Sequence, residues 1–133
     1  MSRAQDKVGQ RVKAGVSEER GHLPIDMDKA LREFDIDKKI IHQILGGFIK
    51  GVRKQAEVIR EALKDGNAEL VRREAHSIKG GAANICADDL SRVAFEMENL
   101  GKSGRLECGE ELLQKMGVEI GRLEEFGKAE LQR

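Results

Sequence analysis

Apolar residues along this chain recur at intervals of three and four, the period of one helix face, and strand-like alternation is hard to find. The longest such stretch predicts a helix from about Asp37 to Lys64, with Ile41, Ile44, Leu45, Phe48, Val52, Ile59 and Leu63 recurring along its inner face. Asp65-Gly66-Asn67 ends it, because glycine accepts the left-handed turn that stops a helix and asparagine caps the next one. The following helix, about Ala68 to Ile85, carries Val71, Ala75, Ile78, Ala82 and Ile85 in one narrow seam. Cys86-Ala87-Asp88 breaks and restarts the chain, and a further helix reaches about Leu100, with Leu90, Val93, Ala94, Met97 and Leu100 inward. Gly101 and Gly104 bracket a tight turn. A last helix covers about Leu106 to Ala129, with Leu112, Leu113, Met116, Ile120 and Leu123 inward and four glycines diluting its helix propensity.

Ahead of these, residues 1–24 are polar, glycine-dotted and weakly periodic, and read as a flexible N-terminal arm. Pro24 marks where the ordered domain begins; Asp26 can cap a short helix over Met27 to Phe34, and Asp35 or Asp37 the next. Residues 25–133 then form one domain. Amphipathic helices joined by short turns predict an all-α, antiparallel up-down four-helix bundle, with the short additional N-terminal helix capping one end.

Composition narrows the function classes. The 133 residues fit a single domain with a core of its own. Charged residues make up 36%, yet the net charge is zero, so nothing global points to nucleic acid. No transmembrane or secretory segment is evident, which places the expected compartment in the cytoplasm. The neutral balance is unevenly spread. Lys50 to Gly80 carries eight basic and five acidic residues, whereas Asn84 to Phe126 carries five basic and ten acidic. Cys86 and Cys108 are far apart, match no zinc or redox spacing, and read as small core or boundary residues.

One stretch resists a purely structural reading. Ala75-His76-Ser77-Ile78-Lys79-Gly80-Gly81-Ala82-Ala83 places adjacent glycines inside a helix, where each costs about 1 kcal/mol relative to alanine. Taking about 100° per residue with Ile78 as origin, the apolar seam centres near about 20° and His76 falls near about 160°. His76 is therefore expected to face solvent, with Gly80 on its face, Lys79 on the flank and Gly81 farther round toward the packing side. A neutral imidazole is a competent nucleophile toward an activated phosphoryl group: one nitrogen attacks while the other donates its N–H to an acceptor that fixes the tautomer. Lys79, one turn along, can offset charge on the transferred oxygens, and bare backbone at Gly80 lets a bulky reaction centre approach. The basic half of the chain, which holds the histidine, suits an incoming anion or an acidic partner.

This segment resembles the histidine-containing phosphotransfer (HPt) domain of phosphorelays, through Ala75-His76-Ser77-Ile78-Lys79-Gly80-Gly81-Ala82-Ala83-Asn84-Ile85-Cys86-Ala87, Leu90 and Met97-Glu98. The resemblance spans about Ile25 to Phe126. It implies that His76 is the phosphorylated residue, through Nε2, that Lys79 supports the phosphoryl group, and that Gly80 admits the partner's active site. It also implies that Glu98, on the next helix, can orient the Nδ1–H. The implied activity is a monomeric phosphoryl carrier between receiver-domain aspartates, those of response regulators or hybrid sensor kinases, without kinase activity of its own. No cofactor is implied beyond Mg²⁺ on the receiver. The partner would dock on an apolar patch around the His76 face, built from the long helix, the His76 helix and the N-terminal helix. The competing reading is a non-catalytic helical adaptor that binds receivers without carrying phosphate, and a domain cut from a larger sensor kinase would look the same. One departure stands out: Cys86 takes the place of the family's glycine. A left-handed cap costs a non-glycine residue about 1 kcal/mol, so the helix is expected to end differently or to run on by a residue.

Other candidates are weaker. His42 reads as a helix-boundary residue and His22 lies in the arm. A di-metal carboxylate bundle needs Glu-x-x-His pairs, but Arg73 and Lys39 stand three residues before His76 and His42. The chain also lacks a glycine-rich phosphate loop and an acidic phosphate-accepting cluster after a strand.

Overall fold

The computed structural model describes residues 24–26, 29 and 38–131. Four helices follow in order, α1 (Lys38–Asp65), α2 (Ala68–Asn84), α3 (Asp88–Ser103) and α4 (Gly109–Leu131). Each packs against its chain neighbours, and α4 closes the ring against α1. The contacts fix the antiparallel sense. Gln55 of α1 meets Glu74 and Ser77 of α2, while Phe48, earlier in α1, lies against Gly81, later in α2. In the same way Lys79 meets Ser91 across α2 and α3, and Arg72 meets Gly101. An all-α up-down bundle is what the periodicity predicts, and the described residues form it. The short Met27–Phe34 helix and the arm lie outside the described residues, apart from Lys29, whose N–H donates to Asp26 Oδ1 at 3.0 Å as a capped first turn requires.

The core is made of the residues that recur along each seam. Val52 and Ile59 of α1, Val71, Ala75, Ile78 and Ala82 of α2, Leu90, Ala94 and Met97 of α3, and Met116, Ile120 and Leu123 of α4 are all buried. Full burial of a side chain such as Ile78 is worth about 1.5–3 kcal/mol. Ile44 departs from expectation: it is among the exposed large apolar residues. Of the cysteines, Cys86 is buried and Cys108 exposed, and both are free.

The turns follow local chemistry. Gly66 adopts φ 69°, and Asn67 Oδ1 accepts from the Leu70 N–H at 3.1 Å. The α2–α3 turn contradicts the expectation for Cys86. The helix ends at Asn84, and Cys86 takes the left-handed conformation itself, at φ 63°. The strain is offset by burial and by the neighbours that converge there. The Asp26 N–H donates to the Cys86 carbonyl at 3.2 Å, and Ile25 and Ala87 are fully buried beside it.

Gly101 also departs from expectation. It does not bracket a turn, because α3 continues through Ser103 and Gly104 alone supplies the left-handed cap, at φ 75°. Gly101 is buried against α2. A Cβ there would lie 2.6 Å from the Arg72 nitrogen and 2.9 Å from the Ala68 carbonyl oxygen. These are backbone atoms that cannot rotate away, so this glycine sets how closely α2 and α3 approach. Gly101→Ala is expected to lower stability by about 1–3 kcal/mol despite its better helix propensity. Urea denaturation checks this, and an unchanged or raised midpoint contradicts the close crossing.

Candidate functional site

The α2–α3 pair carries the site. His76 lies mid-α2 on the side away from the seam, with 62% of its side chain exposed. Its Nδ1 is 2.9 Å from Oε2 of Glu98, one turn before the close crossing at Gly101 on α3. The Glu98 side chain is only 4% exposed. A buried carboxylate costs several kcal/mol unless it is paired (about this much per ion after relaxation), and its second oxygen shows where the pairing comes from. Lys79 Nζ lies 2.7 Å from Oε1. No well-aligned hydrogen bond reaches that oxygen, so the contact is that of an ion pair. Lys79 pairing is the largest influence holding the Glu98 carboxyl below its ordinary 4.5; the His76 hydrogen bond adds to it, and burial opposes both.

Glu98 therefore stays an acceptor at neutral pH. Only a ring nitrogen bearing a proton can donate to it, so in the neutral ring the proton belongs on Nδ1 and the lone pair on Nε2, at the far edge of the ring. The positions expected to act together are thus brought together: His76, Lys79 and Glu98 form one connected group. Gly80 is adjacent and opens to solvent, with nothing within 4 Å of where a Cβ would stand. Gly81 is a packing residue, since a Cβ there would come 2.9 Å from the Phe48 ring.

Supporting contacts hold α2 in place on both sides. Gln55 Nε2 donates to Glu74 Oε1 at 3.2 Å and to Ser77 Oγ at 2.9 Å. The Ser91 hydroxyl donates to the Lys79 carbonyl at 3.1 Å. Neither Gln55 nor Ser91 stands out from the sequence, because a polar residue at a helix boundary looks the same whether it bridges or is merely solvated. Phe95 does not stand out either, except as an aromatic residue three positions before Glu98; its ring centroid lies 5.2 Å from Lys79 Nζ. His42 is remote from this group: it lines a groove between α1 and α4 with Leu45, Ile49 and Glu124. Among the described residues, no cluster of three or more His, Cys, Asp or Glu could hold a metal ion. No helix there is long and apolar enough to cross a membrane.

The fold and site define a class: a helical bundle that presents one exposed imidazole whose inner nitrogen is tied to a buried carboxylate. The Hpt domain family profile matches residues 43–126, and the chain belongs to that family. It is similar to the crystal structure of histidine-containing phosphotransfer protein B (HptB) from Pseudomonas aeruginosa PAO1. The TM-score is 0.73 and the identity 27%, covering 80% of this chain and 93% of that one. Among curated proteins no sequence matches. The role of the chain is histidine phosphotransfer in phosphorelay signalling.

The depressed Glu98 carboxyl makes a pH prediction. A group whose folded value is lowered contributes stability above its unfolded value and loses it as pH falls through the folded one. The stability advantage of the wild type over Glu98→Gln is therefore expected to be full at pH 6–7 and to shrink as pH falls below about 4.5. Denaturation of both proteins across that range checks this, and a difference that is flat or grows toward acid contradicts the pairing.

Proposed function

We propose that His76 is the residue that carries the phosphoryl group, accepting it from one receiver-domain aspartyl phosphate and passing it to another. The observation that supports this most is the 2.9 Å contact between Nδ1 and the buried Glu98 on an otherwise exposed ring. In the step, the Nε2 lone pair forms a bond to phosphorus as the bond from phosphorus to the aspartate oxygen breaks, and the electron pair leaves with the aspartate carboxylate. The ring becomes positively charged and keeps its Nδ1 proton. Glu98 accepts that proton's hydrogen bond throughout and opposes the new charge with its own. The reverse sequence unloads the ring.

Lys79 lies one turn from His76 and offsets charge on the phosphoryl oxygens, which is most of what phosphoryl transfer asks of a protein. Gly80 leaves room for the receiver's active site. The receiver holds the Mg²⁺ the reaction needs, and this chain contributes no cofactor and no nucleotide site. The carrier works in the cytoplasm as a monomer. Its docking face surrounds His76 on α1 and α2.

Incubation with a phosphorylated receiver and Mg²⁺ tests the reading. The expected label on this chain is acid-labile, base-stable and absent in His76→Gln. Binding without transfer overturns the carrier in favour of an adaptor that docks receivers and carries nothing. In the same assay Gly80→Gln should lose most transfer while gaining up to about 1 kcal/mol of stability, because a better helix former replaces glycine in open space. Transfer at the wild-type rate contradicts the steric role of Gly80.

A further inference from the structure

Lys79 is held from two sides. Its ammonium sits 2.7 Å from the buried Glu98 Oε1 and 5.2 Å from the centroid of the Phe95 ring. Phe95 lies on α3 one turn before Glu98, and it is 47% exposed. Its ring borders the Lys79 side of the site without belonging to the core. A lysine side chain has about 2 kcal/mol of rotamer freedom, so an ammonium tethered by a flexible stem would spend much of its time in water. The resting ion pair with Glu98 does not solve this during transfer. To offset charge on a phosphoryl group at Nε2, the ammonium must move away from Oε1, because Glu98 is buried behind the ring and Nε2 is on its outer edge. The face of an aromatic ring attracts a cation without fixing its direction, which leaves the ammonium free to swing while keeping it at the site.

We infer that Phe95 is a positioning residue for phosphoryl transfer, acting through Lys79: its ring confines the ammonium beside His76 as the lysine exchanges Glu98 for the phosphoryl oxygens. This deepens the proposed function and rests on His76 being the carrier.

A small phosphodonor tests it without a receiver, so that loss of docking cannot be mistaken for loss of chemistry. With phosphoramidate, Nε2 forms its bond to phosphorus as the bond from phosphorus to the donor nitrogen breaks and ammonia leaves. The rate of His76 labelling is read by ³¹P NMR in wild type, Phe95→Leu, Phe95→Trp, Lys79→Ala and the double variant Lys79→Ala with Phe95→Leu. Phe95→Leu is expected to slow labelling about two- to five-fold, the size of an exposed cation–π contact, with thermal unfolding little changed. Phe95→Trp, which keeps an aromatic face, should restore the wild-type rate, and in the Lys79→Ala background Phe95→Leu should have no further effect. Labelling of Phe95→Leu at the wild-type rate overturns the inference, and so does a Phe95→Leu effect that persists without Lys79. Wild type that takes no acid-labile label at His76, from phosphoramidate or from a phosphorylated receiver with Mg²⁺, overturns the carrier reading itself, and this inference with it.

Discussion

A carboxylate withdrawn from water is the constraint from which the rest of this structure follows. Glu98 would be costly where it lies without Lys79 on one oxygen and the His76 N–H on the other. Both partners come from α2 and the carboxylate from α3, so the two helices must keep one separation and one register. Gly101 supplies the separation: it lets the α2 and α3 backbones touch one turn beyond Glu98, level with Arg72, itself one turn before His76. A wider crossing would draw the carboxylate out of reach of the ring or open it to water. Pairing also sets its chemistry. It keeps Glu98 ionised against the opposing effect of burial, and an ionised acceptor can face only a protonated Nδ1.

The remaining helices hold this pair rigid while leaving its outer face bare. Gln55 bridges from α1 to Glu74 and Ser77 on either side of the histidine's turn, and Phe48 fills the space that Gly81 vacates. Arg53 and Glu124 form a two-pronged ion pair between α1 and α4. Arg122 of α4 reaches the nearly buried Asp89 in the first turn of α3, where a carboxylate also suits the helix dipole. Even the strained Cys86 serves this arrangement, since its carbonyl and buried side chain anchor the segment at Ile25 and Asp26 over the α2–α3 turn. None of these contacts covers Gly80 or the outer edge of His76.

Much of this was legible in the sequence, for a physical reason. A helix face repeats with a fixed period, so Val71, Ala75, Ile78 and Ala82 define an inner direction, and the same period places His76 outward and Gly81 toward packing. Cap chemistry is local as well, so Gly66 and Asn67 could be assigned from their own conformational preferences. What depended on two helices at once was harder to read. Gly101 looks like a turn residue until the Arg72 backbone is seen against it. Glu98 reads equally well as a solvated charge until its burial is known, Ile44 fits the α1 stripe until its exposure is known, and Phe95 shows no purpose until Lys79 lies over its ring. Cys86 shows the other limit: a backbone penalty of about 1 kcal/mol can be overridden by tertiary contacts that no local rule contains.

The proposed transfer turns on buried Glu98 holding the proton of His76 on Nδ1 and leaving Nε2 unprotonated. The most direct measurement is the ¹⁵N chemical shift of the two imidazole nitrogens of His76, recorded at a pH where the ring is neutral. A protonated, hydrogen-bonded Nδ1 and a bare Nε2 are expected in wild type, with the preference weakened in Glu98→Ala. A wild-type ring protonated on Nε2, or a tautomer ratio indifferent to removal of Glu98, would contradict it.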